Sequence, residues 1–258
     1  MNKIEERKNK LIGCLEQKGK LSVAEVADLF RISLPTARRL CTQLEQERKA
    51  MRTHGGIRFI PEITVSYTFD TIDTEYNAEK EAIARYACGM VKNNGIIFLD
   101  AGTTVKHLAL ALAERIRNGQ LSGISVFTNS LANMEILEPV CKVTVIGGLY
   151  RKERRDFCGF LAERTLRTLR FNICFIGADA LNLTDGIMAM DIETVRLDEL
   201  LISRSDQSIC LVHSEKFHKF SLISICAVRD VSSIITDKKI SPEVLREYQA
   251  AGVNIIPV

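Results

Sequence analysis

Apolar positions in the first 47 residues recur at helical spacing in three short blocks. Ile4, Leu11, Ile12 and Leu15 form the stripe of a first helix that stops at Gly19. The second block opens with SVAE, where Ser22 caps the helix and Glu25, three residues on, reaches back to close a capping box. Its apolar side is Val23, Val26, Ala27 and Phe30. A tight turn through Arg31 and Ile32 leads to Ser33, the N-cap of a third helix whose first turn tolerates Pro35, because no intrahelical N–H is needed there. In that helix Ala37, Leu40, Cys41 and Leu44 follow i, i+3, i+4, i+7, which leaves Thr36, Arg38, Arg39, Thr42 and Gln43 outside. The next stretch, RKAMRTHGGIRFI, predicts two short extended arms, about 50–53 and 57–60, flanking a turn at Gly55 and Gly56.

Beyond residue 60 the pattern changes twice. Residues 67–77 are polar and aperiodic, which places a linker over 61–78 between a domain at 1–60 and one at 79–258. Then AEKEAIARYACGMV reads as a helix, and short apolar runs alternate with amphipathic segments: GIIFLD, GISVFTN, KVTVIGG, FNICFIGAD, SICLVHS, SSIITD and VNIIPV. Apolar runs of four to six residues, bounded by Gly, Asn, Asp or Ser and separated by helices, indicate parallel strands buried on both faces of an α/β sheet.

Charge supports the division. Residues 1–60 carry 13 Lys and Arg against 7 Asp and Glu, a balance of +6, while residues 61–258 carry 22 against 25, a balance of −3. A basic module on a mildly acidic body is what results when only the first meets a polyanion. The eight cysteines are scattered, with no C-x-x-C pair, which suits free thiols packed as small hydrophobes better than a disulfide framework or a zinc site. With no apolar leader at the start and no long apolar span, a cytoplasmic protein with no membrane partner is expected. The four histidines do not fall at metal-ligand spacing, and no cofactor or metal is expected.

The exposed side of the third helix has the donors that phosphates and purine edges accept. Arg pairs bidentately with guanine and Gln with adenine in the major groove. A hairpin bearing Arg48, Lys49, Arg52, His54 and Arg58 beside that helix reads as a basic wing along the DNA backbone or minor groove. Helix, turn, helix and wing thus form a DNA-binding module, whose contacts are expected from Ser33, Thr36, Arg38, Arg39, Gln43, Arg52, His54 and Arg58.

At the opposite end of the chemistry, polar clusters follow the carboxyl ends of the expected strands. They are Asp100 with Gly102, Thr103 and Thr104; Thr128, Asn129 and Ser130; Gly147 and Gly148; Gly177 and Asp179; and His213, Ser214 and Lys216. In an open parallel sheet those ends line one edge, where ligands bind. In DAGTTVKHLALAL a strand ends, a glycine lets the backbone approach, and two threonine hydroxyls open a helix whose free N–H groups and dipole favour an anion. A phosphate fits there. The same residues at a helix start also serve as plain caps. The run RKERRD, residues 151–156, is read as solvated, ahead of a phosphate-neutralising or DNA-contacting role.

The segment SLPTARRLCTQLEQERKAMRTHGG resembles the helix-turn-helix signature of DeoR-type repressors of sugar metabolism, through Ser33, Thr36, Arg38, Arg39, Leu44, Glu45, Arg52, His54, Gly55 and Gly56. The strand-end clusters are similar to the effector domain of the same family. The resemblance implies an α/β fold: an N-terminal winged helix-turn-helix followed by a Rossmann-like parallel-sheet domain related to ribose-5-phosphate isomerase and glucosamine-6-phosphate deaminase. It also implies a phosphorylated sugar or polyol as effector, double-stranded operator DNA as partner, and repression of a catabolic operon. The effector residues it implies are Asp100, Gly102, Thr103, Thr104, Thr128, Asn129, Ser130, Gly147, Gly148, Gly177, Asp179, Arg196 and Lys216. This chain departs from the family pattern at His213, where Asp is common, at His218, where Gly is common, and at Arg196, near a usual Lys.

An enzyme is the rival reading. The isomerases place paired aspartates in a D-G-A-D segment; the matching stretch here is IGAD, with Ile176 in place of the first carboxylate. Asp179 is left to hydrogen-bond a hydroxyl, and no catalytic residue is expected. Since operator half-sites demand paired modules, a homodimer or homotetramer is expected.

Overall fold

The computed structural model describes residues 3–47, 49–53, 55–59 and 68–258. The chain divides into two compact units, Met1–Ser66 with His218–Leu222, and Tyr67–Phe217 with Ile223–Val258.

In the first unit, α1 (Lys3–Lys18), β1 (Lys20–Ser22), α2 (Val23–Phe30), α3 (Leu34–Gln46), β2 (Ala50–Thr53) and β3 (Gly56–Phe59) surround one apolar core. Leu11, Leu15, Val26, Ala37, Cys41, Leu44 and Ile57 are closed to solvent, as the helical spacing requires. The capping box of α2 is present: Glu25 N–H donates to Ser22 Oγ at 3.1 Å, and Ser22 N–H to Glu25 Oε2 at 2.7 Å. Arg31 ends α2 in the left-handed conformation at φ 49°, making the tight turn into α3. Ser33 holds the N-cap position of α3 without a side-chain bond to the helix backbone. A strand that the sequence pattern does not announce, β1, pairs antiparallel with β3, placing Leu21 opposite Ile57, and β2 pairs with β3 on the other side. The two glycines of the wing have different jobs. Gly55 supplies a φ of +97°, and at Gly56 a Cβ would collide with the Leu21 carbonyl oxygen.

The second unit opens with α4 (Phe69–Asp73) and α5 (Asn77–Met90). Both begin inside the stretch 61–78 read from the sequence as a linker, so helical structure starts there at Phe69. Phe69 is buried, Lys106 is ion-paired to Asp73, and Lys80 Nζ donates to the Ile72 carbonyl at 2.6 Å. One buried aromatic in a polar run leaves no periodicity to read. Then follow β4 (Ile96–Leu99), α6 (Thr103–Arg117), β5 (Ser125–Thr128), α7 (Leu131–Leu137), β6 (Lys142–Val145), β7 (Leu149–Arg151), β8 (Asp156–Cys158) and α8 (Phe160–Leu166). The chain continues through β9 (Phe171–Ile176), β10 (Ala180–Asn182), β11 (Gly186–Ala189), α9 (Ile192–Arg204), β12 (Ser205–Leu211) and a short 3₁₀ turn, Ser214–Lys216. It ends with β13 (Ile223–Cys226), β14 (Ser233–Thr236), α10 (Pro242–Ala250) and β15 (Ile255–Pro257).

The seven apolar runs read from the sequence become one parallel sheet in the order β15-β14-β12-β9-β4-β5-β6. Alternate residues feed two cores. Ile97, Leu99, Phe175, Ile209 and Ile235 pack with Ile83, Leu108 and Leu112 of α5 and α6, while Phe98, Cys174, Ile176, Cys210 and Ile234 pack with Val195 and Leu201 of α9. The antiparallel pieces, β7-β8 and β10-β11-β13, lie outside this pattern. Strand order reverses between β4 and β9: the chain leaves β4 toward β5 and β6, then returns to β9 and runs outward through β12, β14 and β15. The crevice at such a switch point is where open α/β sheets place ligands.

Candidate functional site

The exposed face of α3 carries Arg38 and Arg39, both open to solvent, with Thr36, Thr42 and Gln43 half-buried beside them. Ser33 Oγ and Thr36 Oγ1 lie 2.9 Å apart at the start of the helix. Thr42 Oγ1 donates to the Arg38 carbonyl at 3.0 Å and accepts from Arg52 Nη1 at 3.3 Å. Arg52 N–H in turn donates to Glu45 Oε1 at 3.3 Å, so β2 is fastened to α3 by side chain and backbone. The far end of α3 is held by an ion pair between Glu47 and Lys8 of α1. The structure therefore brings Ser33, Thr36, Arg38, Arg39, Gln43 and Arg52 to one helix and its adjoining strand, with Arg58 on β3. His54 and Arg48 lie outside the described residues.

In the second unit a pocket opens at the β4/β9 switch point. Asp100, Gly102, Thr103 and Thr104 enter it from the β4–α6 junction, Gly177 and Asp179 from the end of β9, and Lys216 from the turn after β12. Gly102 and Gly177 meet at the crossing: a Cβ on Gly102 would lie 3.6 Å from the Gly177 Cα. Gly102 is the N-cap of α6 and has no side chain to satisfy the first N–H groups, which leaves them to an incoming acceptor. Six further groups complete the wall: Lys80 from α5, Arg154 and Asp156 from the β7–β8 hairpin, Thr194 and Asp198 from α9, and His213.

Burial sets the charge states here. It pushes the Asp100 carboxyl up to about 6, assisted by the nearby Asp156 carboxylate, against backbone N–H bonds from Ala101 and Gly177. Asp198, likewise buried and close to Asp100, is pushed well above the usual carboxylate range. Burial also brings the Lys80 ammonium down to about 8, and brings His213 down to about 4 with Lys216 and Lys80 adding to the effect, so this imidazole is neutral at pH 7. The His213 ring stacks on Tyr76 with centroids 4.2 Å apart.

Several residues expected at the pocket stand elsewhere. Thr128, Asn129 and Ser130 brace its wall from behind. Thr128 Oγ1 donates to the Leu99 carbonyl at 2.6 Å, Asn129 Nδ2 to the Phe157 carbonyl at 3.3 Å, and Ser130 Oγ caps α7 by accepting from Asn133 N–H at 3.2 Å. Gly147 and Gly148 do not line it; at Gly148 a Cβ would collide with the Cys158 carbonyl oxygen, so the glycine serves the approach of two chain segments. Arg196 lies on the outer face of α9, 3.6 Å from Glu193 and 4.0 Å from Glu163. The reading of residues 151–156 as a solvated run is corrected too. Arg151 grips Asp156 through Nε and Nη2 at 2.8 and 2.6 Å and Asp191 through Nη1 at 2.6 Å, while Arg154 lies 3.1 Å from Asp191.

Lys80 and Asp198 escaped the sequence reading, although a signal was there. Lys80 heads the stripe Lys80, Ile83, Ala84, Ala87 on α5, and Asp198 lies between Val195 and Leu201 on α9. A charge on a buried helical stripe asks for a partner or a ligand.

A family model described as the DeoR C-terminal sensor domain matches residues 75–238, and one described as the DeoR-like helix-turn-helix domain matches residues 7–62. The lactose phosphotransferase system repressor of Lactococcus lactis is 32% identical over 254 residues, covering 96% of each chain. The HTH-type transcriptional regulator GolR of Listeria innocua is 29% identical over 97% of each, and a putative aga operon transcriptional repressor of Escherichia coli O157:H7 is 27% identical over 98% of this chain and 93% of its own. Among solved structures, ribose 5-phosphate isomerase from Plasmodium falciparum overlaps 58% of this chain and 53% of its own at 16% identity and TM-score 0.40, a partial likeness of fold and no more. The relatives found by sequence are regulators rather than enzymes, and no helix among the described residues is long and apolar enough to cross a membrane. With both models matched in chain order and such relatives aligned along nearly their whole lengths, the chain belongs to the DeoR family of DNA-binding transcriptional repressors.

Proposed function

We propose that the chain represses a sugar or polyol catabolic operon and is controlled by a phosphorylated sugar bound at the β4/β9 switch point. The observation that carries this reading is the uncapped start of α6 at Gly102, Thr103 and Thr104, facing Lys80 and Lys216 across one pocket. Free N–H groups, two hydroxyls and two ammonium groups suit a phosphate dianion. Asp179, whose Oδ2 accepts from Met190 N–H at 2.8 Å, has its other oxygen for a sugar hydroxyl. One of the relatives named above is a lactose phosphotransferase system repressor, which favours carbohydrate over other metabolites.

On the DNA side, Thr36, Arg38, Arg39 and Gln43 read or approach the major groove, Ser33 joins the contact surface at the start of the same helix, and Arg52, His54 and Arg58 meet the backbone. Two such modules, supplied by a homodimer or homotetramer, engage paired half-sites. The effector changes DNA affinity to the extent that it binds one arrangement of the paired modules better than another. The test is a thermal-shift screen of phosphorylated sugars and polyols on the full chain, followed by an assay for turnover of each hit. Stabilisation without turnover is expected. Stabilisation by none of them contradicts the effector class.

A further inference from the structure

Four carboxylates face the pocket, and three of them are satisfied from within the protein. Asp156 is gripped by Arg151, Asp179 accepts from the Met190 N–H, and Asp100 accepts from the N–H groups of Ala101 and Gly177. Asp198 differs: it is 1% exposed, and neither of its oxygens has a hydrogen-bond partner among the described residues. Buried polar atoms in folded proteins are partnered with few exceptions, and an exception inside a ligand pocket marks a place that a ligand completes.

The donor that completes Asp198 is constrained by charge. A hydroxyl offers a single neutral hydrogen bond and leaves the carboxyl in the protonated form that burial favours, with one oxygen still unserved. An ammonium supplies up to three donors and the opposite charge, so both oxygens are served and the buried charge is neutralised. No hydrogen bond or ion pair joins Asp198 to a cation among the described residues: Arg151 and Arg154 are paired with Asp156 and Asp191, and neither Lys80 nor Lys216, which line the same pocket, bonds to it. The pocket thus combines two lysine ammonium groups with an unpartnered acid. From this geometry we infer that Asp198 receives a primary ammonium group of the effector, and that the ligand class is a phosphorylated amino sugar with its amine free.

This inference rests on the phosphorylated-sugar reading and is separable from it. The full chain is titrated calorimetrically with matched sets on two scaffolds: glucosamine 6-phosphate, N-acetylglucosamine 6-phosphate and glucose 6-phosphate, and the corresponding galacto series. On at least one scaffold the free amine is expected to bind about tenfold or more tightly than the hydroxyl and N-acetyl forms. Asp198→Asn, which keeps size and shape without the charge, is expected to abolish that preference while leaving the melting temperature at or above that of the parent. Equal or tighter binding of the hydroxyl or N-acetyl forms overturns the inference and leaves the sugar-phosphate reading standing. A preference that survives Asp198→Asn overturns the assignment to Asp198. Binding of none of the six by a chain that another phosphorylated sugar or polyol stabilises overturns the inference alone, while stabilisation by no phosphorylated sugar or polyol overturns both readings together. Should the variant fail to fold, the wild-type comparison of the three nitrogen and oxygen forms decides alone.

Discussion

Asp100 follows β4 as a buried carboxyl whose pKa burial pushes up to about 6 from an ordinary value of 3.8. Between those values the folded chain holds a proton that the unfolded chain has released, so this group's contribution to stability falls as pH rises from about 4 to 6 and stays low above. A shift of about two units corresponds to roughly 3 kcal/mol as an order of magnitude. Asp100→Asn is therefore expected to raise thermal stability at pH 7 and to approach parity with the parent near pH 4. A melting series across that range that shows the same difference at every pH contradicts the assignment. Arg39 belongs to the same scale but to the other chemistry. It is exposed on α3, so Arg39→Ala is expected to leave the fold intact and to weaken operator binding by about 1–3 kcal/mol, the worth of one bidentate base contact. Unchanged affinity in a titration at fixed physiological salt removes Arg39 from the contact surface.

At the scale of elements, the legible parts of the fold were those with a strong period. The three N-terminal helices announce themselves through a buried stripe and a capping box, and the seven parallel strands through apolar runs such as IIFL and SIIT that are buried on both faces. What stayed hidden is short or set by distant partners. β1 has three residues with a single buried side chain, Leu21, and α4 turns on Phe69 alone. The candidate site was half legible for the same reason. Residues that follow a strand, such as Asp100, Thr103 and Asp179, are positioned by sequence neighbours, whereas Lys80, Arg154 and Asp198 reach the pocket from elements far along the chain. Thr128, Asn129 and Ser130 show that a polar cluster at a strand end can face inward as a brace. The pairing of β1 with β3 makes its own prediction. Gly56→Ala drives a methyl against the Leu21 carbonyl and is expected to cost about 1–3 kcal/mol, as overpacking does. Hydrogen exchange of the amides in 20–22 and 56–59 is expected to accelerate, and unchanged protection there contradicts the close approach.

At the scale of the whole molecule, charge and topology assign the two units different partners. The balance of +6 over residues 1–60 suits a polyanion bound by counterion release, while residues 61–258, at −3, bring Lys80, Arg154 and Lys216 to the pocket wall. A repressor governed in the proposed way works only if DNA binding and effector binding are coupled, and thermodynamic linkage makes that coupling reciprocal. The most direct test is the affinity of the full chain for a duplex carrying its operator, measured at one salt concentration with and without the phosphorylated sugar that stabilises it most in the thermal-shift screen. The effector is expected to change the dissociation constant by about fivefold or more. An identical isotherm with the pocket saturated contradicts the account of a DNA-binding module governed by a metabolite at the switch point.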